Sequence, residues 1–165
     1  MNYKIRNRHR LKSKEIKKIL EQLKNYFDKY FFDLKTSVEI GEVENQNIVF
    51  VDNEPSLMYH NNKIFFTLYG LNKYKPKNYF VVVDMGAVKF VTSGADVMAP
   101  GIVYADEKIN EKDLVWICDE THRKPLAVGV AVMSGDKMIS EKSGKSVTVI
   151  HHVGDSLWNF IANQN

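Results

Sequence analysis

Apolar residues recur at Ile16, Ile19, Leu20, Leu23, Tyr26, Phe27, Tyr30 and Phe31. This is the i, i+3, i+4, i+7 spacing of a single buried stripe, and it predicts a helix sustained for four turns. Lys17, Lys18, Glu21, Lys24, Asn25 and Asp28 fall on the opposite side, which is therefore wet and basic. Ser13 is placed to cap this helix, with Glu15 in its first turn against the positive end of the helix dipole. Beyond it the period shortens toward two. Residues 36–40, 47–51 and 56–59 read as short strands, with Pro55 marking the break between the last two. Asn61-Asn62 reads as a turn before the strand at 64–68. Residues 1–75 thus predict one helix packed on a short antiparallel sheet. The polar, lysine-rich stretch 73–78, which contains Pro76, is the expected linker.

The texture changes at Tyr79. Residues 80–83 (FVVV) form a buried-type strand, and Asp84 caps a short helix whose last turn runs into Gly94. Glycine suits the left-handed position that ends a helix, because no β-carbon opposes it. Residues 97–104 are extended, with a bend at Pro100-Gly101. Residues 114–118 and 126–133 are strands separated by a polar turn, and residues 147–153 form the last one. Gly129 inside its strand predicts a bulge, a barrel bend or a close backbone approach. Short strands with turns between them suggest a small barrel or sandwich.

The chain has 165 residues, 44% hydrophobic and 26% charged, the balance of a folded globular protein of one or two domains. A fold needing on the order of 250 residues, such as an eight-stranded α/β barrel, does not fit. No apolar run approaches the roughly 18 residues of a membrane span. The N-terminal residues lack an apolar run, so no secretory signal is expected. A lone cysteine, Cys118, excludes an internal disulfide and is consistent with a reducing, cytoplasmic setting. Net charge is +3, but it is unevenly spread. Residues 1–35 hold eleven Lys/Arg against four Asp/Glu, whereas residues 80–165 hold eight against eleven. The basic run Lys4, Arg6, Arg8, Arg10, Lys12, Lys14, Lys17 and Lys18 reads either as a polyanion contact or as a solvated, partly frayed terminus. The arginines favour phosphate, whose oxygens match the guanidinium fork.

Signatures of nucleotide-binding loops, metalloproteases, nucleophile elbows and EF-hands are absent. Adjacent His151 and His152 point to opposite faces of a strand and cannot ligate one metal from the same side. Cys118 reads as a small buried hydrophobe. A nucleophilic pair with His122 is disfavoured by the acidic turn at Asp119-Glu120, which raises a thiol pKa. Asp106-Glu107 reads as surface turn chemistry. The weight falls on a binding protein that is not an enzyme and needs no cofactor or metal.

The run VDMGAVKFVTSGADVMAPGI (83–102), followed by LAVGVAVM and VTVIHHVGDSLWNF, resembles the PUA domain, an RNA-binding module. With RHRLKSKEIKK and FFTLYGLNKY added, nearly the whole chain is similar to the malignant T-cell-amplified translation-factor family, its archaeal counterparts and the N-terminal half of ligatin. The resemblance implies an α+β protein: an α/β pre-PUA domain over residues 1–76 and a PUA pseudo-β-barrel over residues 77–160. It implies a groove for structured RNA at Lys89, Ser93, Gly94, Ala95, Asp96, Met98 and Pro100, with His151 and His152 on the neighbouring strand. Lys142 and Lys145 are the other cations of that half. Gly94 is expected to let the backbone approach a phosphate and offer an N–H. Because the C-terminal half is net acidic, Arg6, Arg8, Arg10 and Lys12 are expected to supply phosphate contacts. The implied partners are tRNA, rRNA, the small ribosomal subunit and a protein partner in initiation or recycling, with no membrane. The alternative is an RNA-targeting subunit for RNA modification, such as pseudouridylation, or for ribosome assembly.

Overall fold

The structure, a computed structural model, describes residues 4–163. They divide into two compact units, one running to Pro76 and taking in Phe160 onward, the other Lys77–Asn159.

The first unit is a five-stranded antiparallel meander of β1 (Ile5–Arg10), β2 (Val38–Val43), β3 (Gln46–Val51), β4 (Glu54–His60) and β5 (Lys63–Phe66), paired in that order. Helix α1 (Ser13–Phe27) follows β1, and α2 (Leu68–Tyr74) follows β5. The α1 stripe is buried at Ile16, Ile19, Leu20, Leu23 and Phe27. Phe27 lies 5.6 and 5.3 Å from the rings of Phe65 and Phe66, which anchors the helix to β5. The strands β2 to β5 are joined by two-residue turns, Glu44-Asn45, Asp52-Asn53 and Asn61-Asn62, with positive φ at both residues. That geometry matches the twist of the strands it joins and tolerates Asn and Asp.

Five expectations for this unit need correction. The basic segment is not a frayed arm: Ile5–Arg10 pairs with β2 as an edge strand, with a bulge between Arg6 and His9. Lys12, not Ser13, is the N-cap, and its backbone N–H donates to Glu15 at 3.1 Å. The helix ends at Phe27, because Asp28 turns left-handed at φ 58°. Tyr30 and Phe31 therefore lie beyond it, and Phe31 packs instead on Phe66 at 5.0 Å. Pro55 does not interrupt the sheet. It lies inside β4, opposite Phe50, at a register shift where a missing N–H is tolerated. At the end of the unit, Lys73 and Tyr74 belong to α2, which shortens the irregular stretch.

The second unit is a six-stranded, barrel-like sheet ordered β7-β11-β10-β9-β6-β8. Its strands are β6 (Phe80–Val83), β7 (Val97–Met98), β8 (Ile102–Ala105), β9 (Leu114–Asp119), β10 (Pro125–Ala131) and β11 (Lys145–His152). Between them lie α3 (Met85–Thr92), a 3₁₀ turn at Ala99–Gly101 and α4 (Gly135–Ser140), and after β11 this unit takes in the start of α5 (Ser156–Ala162), to Asn159. Strands β6 and β9 pair in parallel and the other pairs are antiparallel. Val81, Val83, Val91, Ile117, Ala127 and Val147 meet in the barrel core. Gly129 sits at a bulge between β10 and β11, where an added β-carbon would stand 2.6 Å from the Thr148 carbonyl. This is the close approach the sequence suggested.

Candidate functional site

The candidate groove begins at β6, whose apolar residues bury it and leave Asp84 at its end. Asp84 caps α3 by accepting the Ala87 N–H at 2.9 Å. Ala87, Val88 and Val91 pack inward. The last turn closes on itself: the N–H groups of Ser93 and Ala95 donate to Phe90 O, and that of Gly94 donates to Val91 O. Ser93 Oγ also donates to Phe90 O, at 2.8 Å. Gly94 has φ +93°, and an added β-carbon would lie 2.8 Å from His152 Nε2. The His152 ring is held there by Nδ1–H, shared between the carbonyls of Thr92 at 3.1 Å and Val153 at 2.9 Å. Glycine is thus required both by backbone conformation and by space.

The next residue pair fastens the turn to the barrel. Asp96 Oδ1 accepts the Val149 N–H at 3.0 Å, and Oδ2 stands 3.4 Å from Lys145 Nζ. Strand β7 then pairs Met98 with Lys145, and Ala99 N–H donates to Gly144 O at 2.9 Å. Lys89, Ser93, Ala95, Met98, Pro100, Lys142 and Lys145 are exposed, while Gly94, Asp96 and His152 are half-buried. The structure brings α3, the Ser93–Ala95 turn, β7 and the start of β11 together. It gives several of these residues structural duties. The Gly94 N–H is already bonded within the turn and is not offered to solvent. Asp96 is a brace, and part of the Lys145 charge is spent on it.

His151 is a correction of a different kind. It is fully buried, with Nδ1 2.8 Å from Asp155 Oδ2, so it does not face a ligand. Burial alone would raise the Asp155 pKa. The bond and charge of His151, with the N–H groups of Trp158 and His152, outweigh burial and hold it below the usual carboxylate range. The adjacent histidines do point opposite ways, and both are braces.

Phe90 joins these residues at the surface of α3, although no motif in the sequence marks it. Its ring is 56% exposed, and Lys89 Nζ lies 5.2 Å from the ring centroid. The signal was present in the spacing: Ala87, Val88 and Val91 complete the inward stripe of α3, and Phe90 falls off it. An exposed aromatic beside a free ammonium suits a π-face carrying negative charge nearby, the pairing a nucleotide presents.

The basic residues of β1 are not equivalent. Arg8 Nε donates to Glu39 at 2.7 Å, its NH2 donates to Asn53, and its guanidinium stacks 4.1 Å from the Phe50 ring centroid. Arg6 donates to Asn45 at 2.9 Å and lies 3.9 Å from Glu42. Arg10 and Lys12 are exposed. Of the four expected phosphate contacts, Arg8 is built into the sheet.

Cys118 is fully buried, and burial pushes its thiol up to about 12 despite the opposing field of Arg123. At neutral pH it is not a nucleophile. Asp119 accepts backbone N–H groups from Thr121, His122 and Lys124, which staples the turn. Among the described residues no cluster of three or more His, Cys, Asp or Glu side chains could hold a metal, and no helix is long and apolar enough to cross a membrane.

A PUA domain model matches residues 79–153, and a domain of unknown function (DUF1947) matches residues 7–74. An uncharacterised protein from Methanocaldococcus jannaschii is 44% identical, over 94% of this chain and 98% of its own. Translation machinery-associated protein 20 from Saccharomyces cerevisiae is 32% identical, over 76% of this chain and 74% of its own. The crystal structure of a hypothetical protein from Pyrococcus horikoshii superposes with a TM-score of 0.85 at 37% identity, covering 93% of this chain and 99% of that one.

Proposed function

Because the chain belongs to the two-domain family of PUA proteins that takes in translation machinery-associated protein 20 and the malignant T-cell-amplified proteins, we propose that it is a non-catalytic, cytoplasmic RNA-binding protein of the translation apparatus. It takes structured RNA, tRNA or small-subunit rRNA, on the α3–β7–β11 groove of the PUA unit. Exposed cations of the N-terminal unit add phosphate contacts. The observation that carries this reading is the exposed Lys89–Phe90 pair beside a braced turn. A rigid backbone presenting one aromatic face and one free charge suits folded RNA, whose deep major groove side chains cannot read. The acidic balance of the C-terminal half limits how much phosphate the groove holds by itself, so Arg10, Lys12 and their neighbours extend the contact.

The test is a salt series of binding to tRNA and to small-subunit rRNA. Log affinity should fall linearly with log salt, and Lys89→Ala or Lys142→Ala should each flatten the slope by about one. Phe90→Ala should weaken binding by about 1–3 kcal/mol with the slope unchanged, since stacking releases no counterion. Binding that ignores salt overturns the reading. Crosslinking in cells, with sequencing of the attached RNA and identification of co-purifying proteins, separates a ribosomal role from service to a modification or assembly complex.

A further inference from the structure

The N-terminal unit has a cleft of about 420 Å³ between α1 and the sheet, within the usual size of a small-ligand site. Its apolar lining is Leu11, Ile19 and Ile40. Two rings line it, His9 from edge strand β1 and Tyr59 from β4. The amides of Asn47 and Asn62 and the ammonium of Lys18 complete the polar part, with Glu15 as the carboxylate.

The chemistry of these groups is more selective than their number. Among the described residues, the Tyr59 hydroxyl, both amides and Lys18 Nζ make none of the side-chain hydrogen bonds or ion pairs of the fold. The amides of Asn7, Asn45 and Asn53, by contrast, are committed to neighbours. Lys18, Asn47 and Asn62 are exposed and Tyr59 is half-buried, so these groups are hydrated, and a ligand that pairs with them over the apolar lining displaces water without breaking a bond of the fold. Flat rings suit a planar heterocycle, and an amide offers the paired donor and acceptor that match a base edge. Lys18 lies one turn from Lys14 on the basic side of α1, and Lys12 precedes them, so charge for a phosphate adjoins the cleft.

We propose that this cleft is a nucleotide pocket that takes a single unstacked base from an RNA strand, with the adjoining phosphates on Lys18 and its basic neighbours. It rests on the RNA-binding reading above and adds a second, base-contacting site in the unit that holds no PUA domain. Burial and the charge of Glu15 raise the Tyr59 pKa, so the phenol that faces the cleft stays a hydrogen-bond donor well above neutral pH.

The experiment is an NMR titration of the full chain with the four ribonucleoside 5′-monophosphates, with an unstructured RNA hexamer, and with ribose 5-phosphate and inorganic phosphate as controls. The expected result is movement of the His9 and Tyr59 ring protons with at least one mononucleotide and not with ribose 5-phosphate. The hexamer should bind about tenfold more tightly, because its further phosphates reach more lysines. Asn47→Ala and Lys18→Gln, both at exposed positions without positive φ, should each weaken the mononucleotide about fivefold with the melting temperature unchanged. Equal ring shifts with ribose 5-phosphate, or shifts confined to residues 77–159, overturn the pocket. So does a mononucleotide that binds when the hexamer does not. If the pocket fails in any of these ways while tRNA or rRNA still binds with a salt slope, the RNA reading stands without it. If structured RNA fails as well, both fall.

Discussion

Gly94→Ala separates two costs that usually arrive together. The first is conformational: at φ +93° an L-residue pays about 1–3 kcal/mol. The second is spatial. The new β-carbon would sit 2.8 Å from His152 Nε2 and 3.2 Å from Cδ2, and the ring cannot swing away without losing its bonds to Thr92 and Val153. Overpacking of this kind costs about 1–3 kcal/mol more. Gly144 is the internal control, since its φ is +86° and nothing lies within 4 Å of an added β-carbon. Gly144→Ala should therefore show the first cost alone, and Gly94→Ala about 2–6 kcal/mol in total. For a chain of this length that is a fall of roughly 4–24 °C in the calorimetric midpoint. Adding His152→Ala to Gly94→Ala should remove the spatial part of the Gly94 cost and leave the conformational part, a coupling read from the double-mutant cycle. Equal midpoints for Gly94→Ala and Gly144→Ala would refute the argument that His152 closes this turn.

Arg8→Ala should lower the stability of the N-terminal unit by about 1–2 kcal/mol in denaturant and leave the RNA salt slope alone, because Arg8 is bound to Glu39 and Phe50; Arg10→Ala should do the reverse. Asp155 titrates below its unfolded value of about 3.9, so its stabilisation is complete above that pH and is lost as pH falls through the folded value. Asp155→Asn should cost about 1–3 kcal/mol at neutral pH and flatten the acid limb of a stability series, and an unchanged limb counts against the His151 pair. Cys118, with its thiol pushed up to about 12, should resist iodoacetamide at pH 8 in the native chain and react fully in denaturant; native labelling at the denatured rate would contradict its burial. The boundary proposed between the domains predicts that mild trypsin cuts first after Lys77, the exposed lysine beyond α2 that no proline follows, and a first cut within residues 83–102 would move it.

Legibility in the sequence followed the range of the interactions. The α1 stripe, the Asp84 cap and the left-handed Gly94 are each set by residues within one or two turns, and periodicity or turn chemistry reports them. Strand β1 was hidden because IRNRHR has one apolar residue. What makes it a strand lies elsewhere in the chain, in the β2 backbone and in the Glu39 and Phe50 that receive Arg8. Helix α1 was overextended for a related reason: Tyr30 and Phe31 keep the apolar period, but Asp28 turns the backbone first. At the groove the residue types were readable and their occupations were not. Asp96, His151 and the Gly94 N–H carry the right chemistry for a ligand, yet each is spent on a partner up to 53 residues away. Exposure at Phe90 follows from the helical period of α3, which sets it off the core-facing stripe of Ala87, Val88 and Val91.

The three tight turns with paired positive φ carry a consequence for how the meander is assembled. Each sets its hairpin's alignment from immediate neighbours, so β2 through β5 can zip together with little loop entropy to overcome. Strand β1 has no such aid, because α1 and the segment after it stand between it and β2, and Arg8 meets Glu39 across 31 positions. The cationic margin of the sheet is thus expected to dock last and to peel first. Its amides should exchange with deuterated solvent ahead of those in β3 and β4, and a polyanion laid along it should slow them.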